Sequence, residues 1–174
     1  KDFTKLIQYP IGQNTLSVSV PNTVTTIADG AFAYCYSVET VDMPNVKIIE
    51  SGAFLDCENL QSVNMPKVTV IRRRTFADCG SLKSINIPNV TIIEERAFYK
   101  CSNLQKVVLG NKVDSIGNAF GKCVRLATLR VITAIPPALG GDVFKDTPSD
   151  MIVQVPCGMA DLYKRVDGWK DLKN

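Results

Sequence analysis

From Phe76 to Pro88 the chain reads Phe-Ala-Asp-Cys-Gly-Ser-Leu-Lys-Ser-Ile-Asn-Ile-Pro, and two hydrophobic periods meet inside it. Phe76, Cys79 and Leu82 fall three residues apart, which puts them on one side of a tight helical turn. After Leu82 the spacing drops to two. Ile85 and Ile87 alternate with Ser84 and Asn86, the pattern of a half-buried strand. Pro88 closes the strand because it has no amide hydrogen to give to a ladder.

The same turn-then-strand segment starts again at Phe32, Phe54, Phe98 and Phe120. Phe32/Cys35, Phe54/Cys57, Phe76/Cys79, Phe98/Cys101 and Phe120/Cys123 are spaced 22 residues apart. A fixed period in the twenties predicts a solenoid, each turn of chain stacking on the last. After each proline, and after Gly110, comes a short β-prone run: Val24–Ile27, Val46–Ile49, Val68–Ile71, Val90–Ile93 and Val113–Ile116. A polar turn then leads to Ala-Phe-x-x-Cys-x-x-Leu, with Thr75 for the alanine in one repeat and Val38 for the leucine in another. Stacking at the inter-strand spacing of ~4.8 Å makes columns of the phenylalanines and cysteines. It does the same for Val41, Val63, Ile85, Val107 and Leu129, and for Met43, Met65, Ile87, Leu109 and Val131.

The ends depart from the period. Phe3, Leu6, Ile7 and Tyr9 precede a turn at Tyr9-Pro10-Ile11-Gly12, and Ser17 to Val20 alternate as a strand that covers the first turn. Beyond Val131, Val143-Phe144 make an irregular last repeat with Thr147 in the cysteine position, and Met151–Val155 reads as a final strand. Met159, Leu162, Tyr163 and Val166 fall on one face of a short helix, and Trp169 follows.

Leu60-x-x-Val63-x-Met65 and Leu82-x-x-Ile85-x-Ile87 carry the strand pattern of leucine-rich repeats. The added Pro, Val-x-x-Ile, Ala-Phe and Cys positions resemble the BspA-like subclass of that family, common in surface proteins of gut and oral Bacteroidetes. The lead-in Tyr9–Gly12 and the run from Val155 through Tyr163 to Trp169 resemble the ends of the same proteins. The resemblance implies an α/β fold: a leucine-rich-repeat solenoid with a parallel β-sheet on its concave face, short helical turns opposite, and a C-terminal strand-helix cap. It implies one domain over residues 1–174. Residues 1–21 are the N-terminal strand and cap, 22–131 are five repeats of 22–23 residues, and 132–174 are the irregular last repeat and C-terminal cap.

Composition narrows the chemistry. The chain is 45% apolar with a formal net charge of +3 spread along its length, which argues against nucleic acid as a partner. There are no histidines, which removes Ser-His-Asp and Cys-His catalysis and the commonest metal ligand. No run is long enough to span a membrane as a helix, so membrane insertion is not expected. The first residue is Lys1 rather than methionine, as expected of a processed or truncated product.

The cysteines of one column cannot all pair, and their spacing is not that of a zinc site. They are expected to be reduced and structural, with Cys157 packing in the cap. Glu50, Arg72 and Glu94 share one repeat position, and Arg73 and Glu95 the next, so Arg72-Arg73-Arg74 reads as part of a solvated ion-pair row rather than an anion site. Arg74 faces Arg96 without explanation. Ile48, Val70 and Ile92 form an apolar column that either packs within a second parallel strand row or is an exposed stripe, packing being favoured. Asn89-Val90-Thr91 matches a glycosylation sequon that a bacterial origin leaves idle.

The outward positions of the main strands are the candidate binding residues. They are Thr40, Ser62, Ser84, Lys106 and Thr128 in one column and Asp42, Asn64, Asn86, Val108 and Arg130 in the other. In leucine-rich repeats this is the concave face, where partners often bind. The family resemblance implies a non-enzymatic secreted or cell-surface module, monomeric and without cofactor or metal. Its class is associated with adhesion and with binding an extracellular protein or glycan. A structural spacer without its own ligand is the alternative, since the face lacks the aromatic and arginine enrichment of binding hot spots.

Overall fold

The computed structural model of the protein describes residues 3–10 and 12–172; Ile11 of the lead-in turn lies outside them. In chain order the first strands are β1 (Lys5–Leu6), β2 (Ser17–Ser19), β3 (Thr26–Ile27), β4 (Thr40–Asp42), β5 (Ile48–Ile49), β6 (Ser62–Asn64) and β7 (Val70–Ile71). They continue with β8 (Ser84–Ile87), β9 (Ile92–Ile93), β10 (Lys106–Leu109), β11 (Ser115–Ile116), β12 (Thr128–Val131), β13 (Ala138–Leu139) and β14 (Ile152–Gln154). A four-residue helix, α1 (Ala160–Tyr163), follows. All paired strands are parallel, as a coil of equivalent turns requires.

Two strand rows run the length of the solenoid. The second row has the order β1-β3-β5-β7-β9-β11-β13. The main row consists of β2-β4-β6 and β8-β10-β12-β14, with β6 lying beside β8. The turns carry a third set of bonds between successive repeats. The amides of Phe54, Phe76 and Phe98 donate to the carbonyls of Thr75, Ala97 and Ala119 at 2.9, 2.8 and 3.0 Å. Each repeat is therefore tied to the next on three sides, except at the step from β6 to β8, where the two main-row strands lie side by side without a hydrogen-bonded ladder.

The helical turns expected opposite the main sheet are hydrogen-bonded turns rather than helices. Ala33 donates to Gly30 and Cys35 to Phe32; the next three repeats do the same, and the fifth keeps only the second bond, Cys123 to Phe120. Helical continuation is blocked by left-handed residues at two places in the turn. Gly30 and Gly52 (φ 61° each), Arg74 (55°) and Arg96 (57°) occupy the first; Asp56, Asp78, Lys100 and Lys122, with φ from 57° to 61°, occupy the second. Gly110, which replaces the strand-ending proline, is needed for close approach. A Cβ there would stand 1.8 Å from the carbonyl oxygen of Pro88.

The core is the stack of columns. Phe32, Phe54, Phe76, Phe98, Phe120 and Phe144 lie nearly parallel, with neighbouring centroids 4.8 to 5.9 Å apart. Tyr9 extends the stack by one ring beyond Phe32, at 4.9 Å, so the N-terminal segment is a shortened turn with β1 as its strand. Thr75 is fully buried where alanine is usual; its hydroxyl donates to the Arg72 carbonyl at 2.8 Å.

The C-terminal cap closes the stack with two aromatic side chains. Tyr163 and Trp169 are buried and meet edge to face at 5.1 Å. The Tyr163 hydroxyl donates to the Thr133 carbonyl at 2.8 Å, and Trp169 Nε1 donates to the Pro137 carbonyl at 2.7 Å. Both acceptors lie in the irregular loop after β12, so the cap also fixes that loop. The helix is shorter than the sequence predicts and its apolar face is incomplete: Leu162 is exposed, while Met159 and Val166 pack partly against the core. Cys157 is likewise exposed rather than packed in the cap.

Candidate functional site

Strand alternation decides which side chains the main row offers. Val41, Ile85, Val107 and Leu129 point into the core, as do Met43, Met65, Ile87, Leu109 and Val131, and the residues between them must point away. Thr40, Ser62, Ser84, Lys106 and Thr128 form one outward column, and Asp42, Asn64, Asn86, Val108 and Arg130 the other. Asp42, Ser62, Asn64, Ser84, Asn86, Lys106 and Arg130 are exposed, and Thr40, Val108 and Thr128 are half-buried. The structure brings all ten candidate residues onto one face.

Register extends the columns past both ends. Ser17 and Ser19 of β2 stand beside Thr40 and Asp42, and Ile152 and Gln154 of β14 beside Thr128 and Arg130. The strand alternation Ser17-Val18-Ser19 was enough to find the first pair. Part of the face satisfies itself. Thr40 Oγ1 donates to Ser17 Oγ at 2.8 Å, and the Asn64 amide donates to Asp42 Oδ1 at 2.7 Å. The C-terminal half, with Ser84, Asn86, Lys106 and Arg130, is the more cationic.

The other features with possible chemistry resolve as structure. Each thiol from Cys57 to Cys123 donates to the carbonyl of the phenylalanine one repeat earlier, at 3.0 to 3.2 Å. Burial pushes the Cys57 and Cys123 thiols up to about 12, and those of Cys79 and Cys101 well above the ordinary value. All six cysteines are free. Cys57, Cys79, Cys101 and Cys123 are protonated packing groups, not nucleophiles.

The charged row is present with one change. Arg72 pairs with Glu94 at 3.9 Å and Arg73 with Glu95 at 3.7 Å, while Arg96 pairs with Glu95 at 3.4 Å. Glu50 pairs instead with Lys5 of β1 at 3.0 Å and accepts the Asp29 amide at 3.1 Å; the Lys5 bond is the main cause of its lowered carboxyl pKa. Glu94 accepts the Arg73 amide at 2.9 Å. The carboxylates therefore hold turn backbone as well as cations.

The apolar column corrects the favoured expectation. Ile48, Val70 and Ile92 do belong to a second parallel row, but Ile48 and Ile92 are 45% and 40% exposed and Val70 is half-buried. Their neighbours Ile49, Ile71 and Ile93 take the inward positions of these two-residue strands. The column is an outward stripe.

Among the described residues, no group of three or more His, Cys, Asp or Glu is placed to hold a metal ion, and no helix is long and apolar enough to cross a membrane.

A parallel-strand solenoid with inward aliphatic columns, outward polar columns and a capped end is the architecture of leucine-rich-repeat proteins. The chain belongs to the BspA type leucine rich repeat family, whose profile matches residues 12–127 in six copies. Among solved structures it is similar to a leucine rich cell surface protein of Faecalibacterium prausnitzii, with 32% identity and a TM-score of 0.71, over 73% of this chain and 35% of that one. It shares its fold with the pneumococcal vaccine antigen PcpA at 18% identity and a TM-score of 0.77, over 100% of this chain and 43% of the antigen. The T. pallidum leucine rich repeat protein has 22% identity and a TM-score of 0.65, over 84% and 90% of the two chains. No curated protein matches the sequence. The matches span less than half the length of the first two proteins, 35% and 43%. Family and fold are those of leucine-rich-repeat proteins, which are typically non-enzymatic, and are consistent with a binding or scaffold module.

Proposed function

We propose that the chain is a non-enzymatic, secreted or cell-surface adhesion module that binds an extracellular protein or glycan on the outward face of its main strand row. The observation that carries this reading is the alignment of two polar columns over a continuous core, so that the face can change without disturbing the fold. The cell-surface description of the F. prausnitzii protein and the antigen description of PcpA support an external location. The module acts as a monomer, since its two end turns are covered by the Tyr9 segment and the Tyr163–Trp169 cap.

The test is capture of extracellular matrix proteins and immobilised glycans by the chain, compared with a variant carrying Asn64→Ala, Asn86→Ala and Arg130→Ala. The reading requires saturable binding that the triple variant loses while its unfolding transition is unchanged. Binding that survives the triple change moves the site to another face.

The internal bonds Thr40–Ser17 and Asn64–Asp42 favour a second reading, a spacer that presents a neighbouring domain. Absence of saturable binding to any candidate, with the fold intact, is the outcome that reading expects.

A further inference from the structure

The position after each stacked phenylalanine is taken by Ala33, Leu55, Ala77, Tyr99, Gly121 and Lys145, so one aromatic ring stands between two small neighbours. Tyr99 is half-buried and leans over Gly121, where an added Cβ would lie 3.4 Å from the ring. Three cations surround it. Arg96 Cζ, Lys100 Nζ and Lys122 Nζ each lie 5.8 Å from the ring centroid. Beside the ring is a depression of ≈ 400 Å³ whose lining includes Arg96, Tyr99, Asn118, Lys122, Asp142 and Asp146. That volume is within the range of small-molecule sites.

We propose that this depression binds an acidic sugar, a pyranose carrying a carboxylate or a sulfate. An aromatic face suits the C–H face of a pyranose, since it is apolar and electron-rich. Lys122 is exposed and makes no ion pair among the described residues, which leaves its charge for an anionic substituent. Arg96 is held by Glu95 at 3.4 Å and Lys100 by Asp78 at 3.4 Å, so they add field from fixed positions. Lys145, which also lines the depression, pairs with Asp142 at 3.8 Å, and the carboxylates of Asp142 and Asp146 accept hydrogen bonds from hydroxyls, as Asn118 both donates and accepts. The mixture fits a polyhydroxylated ring with one charge better than phosphate alone. The site is built by turn segments and stands apart from the outward face of the main row, so it goes beyond the binding proposed there.

Calorimetric titration of the chain with a glucuronate-containing hyaluronan tetrasaccharide, a sulfated heparin tetrasaccharide and neutral cellotetraose tests the proposal. Saturable binding of at least one acidic probe is expected, weakened by salt as an exposed charge contact must be, with cellotetraose bound at least about tenfold more weakly. Tyr99→Ala should weaken the acidic probe by about tenfold, as loss of an aromatic anchor does. Lys122→Glu, a change at an exposed side chain, should weaken it as well, and it keeps the test decisive if Tyr99→Ala disturbs the fold. The Asn64/Asn86/Arg130 triple variant should bind the acidic probe like wild type, which separates this site from the main-row face. No binding of either acidic probe, equal binding of cellotetraose, or binding indifferent to both Tyr99→Ala and Lys122→Glu overturns the proposal.

Discussion

The thiol of Cys101 donates to the carbonyl oxygen of Phe76, with Sγ 3.1 Å from the oxygen. That carbonyl also accepts the Cys79 amide within its own turn at 3.4 Å. The pairing repeats from Cys57 to Cys123, so the cysteine column is a hydrogen-bonded seam between turns as well as apolar filling. Thr147, in the irregular last repeat, turns its hydroxyl to the carbonyl of its own Phe144 at 2.7 Å. The seam ends where the period loosens.

Cys101→Ala removes the donor and opens a small cavity in a fully buried site. The expected loss is about 1–2 kcal/mol, the net value of one hydrogen bond plus the missing sulfur contacts. Urea unfolding measures it. A loss indistinguishable from zero would mean that the thiol is filler alone.

The buried thiols also predict a pH response. Their folded pKa values are raised, to about 12 for Cys57 and Cys123, against an ordinary 9.0. The folded state therefore holds these protons more tightly. Their contribution to stability is fully present below pH 9.0 and is lost as pH rises toward about 12. Tyr163, pushed by burial from 10.0 to about 12, acts in the same sense. At pH 8, near neutrality for all of these groups, a thiol reagent should label exposed Cys157 promptly and the buried ladder only after denaturant is added. Prompt labelling of all six cysteines in the folded chain would contradict the seam.

Much of this was legible in the repeat because Phe, Cys and the alternating strand residues each occupy one column, and a column read through five registers separates inward from outward positions. All ten residues proposed for the main-row face followed from that alternation. Two-residue strands were harder. With only Ile48 and Ile49 in β5, periodicity has too few terms to show that Ile49 faces in and Ile48 out. β1 and the role of Tyr9 were hidden because the first turn is short, so its ring sits three residues after Leu6 where Phe32 sits five after Ile27. The Tyr99 depression depends on residues from three successive turns, and only Arg96-x-x-Tyr99-Lys100 is visible locally.

Left-handed turn positions give a stabilising prediction. Arg74 is exposed with φ 55° at the place where Gly30 and Gly52 stand at 61°. Arg74→Gly removes the Cβ penalty of that conformation and should stabilise the chain by about 1 kcal/mol. Gly52→Ala should destabilise it by a similar amount. Matched urea titrations of the two variants give the comparison, and a destabilised Arg74→Gly would show that the arginine side chain holds the turn.

The central claim is that the phenylalanine column is the continuous core on which every exposed face depends. Phe76 is fully buried between Phe54 at 5.2 Å and Phe98 at 5.4 Å. Equilibrium unfolding of Phe76→Ala by urea tests that claim most directly. A loss of roughly 3–5 kcal/mol is predicted, the range for emptying a buried aromatic site, and a midpoint equal to wild type would contradict the stacked core.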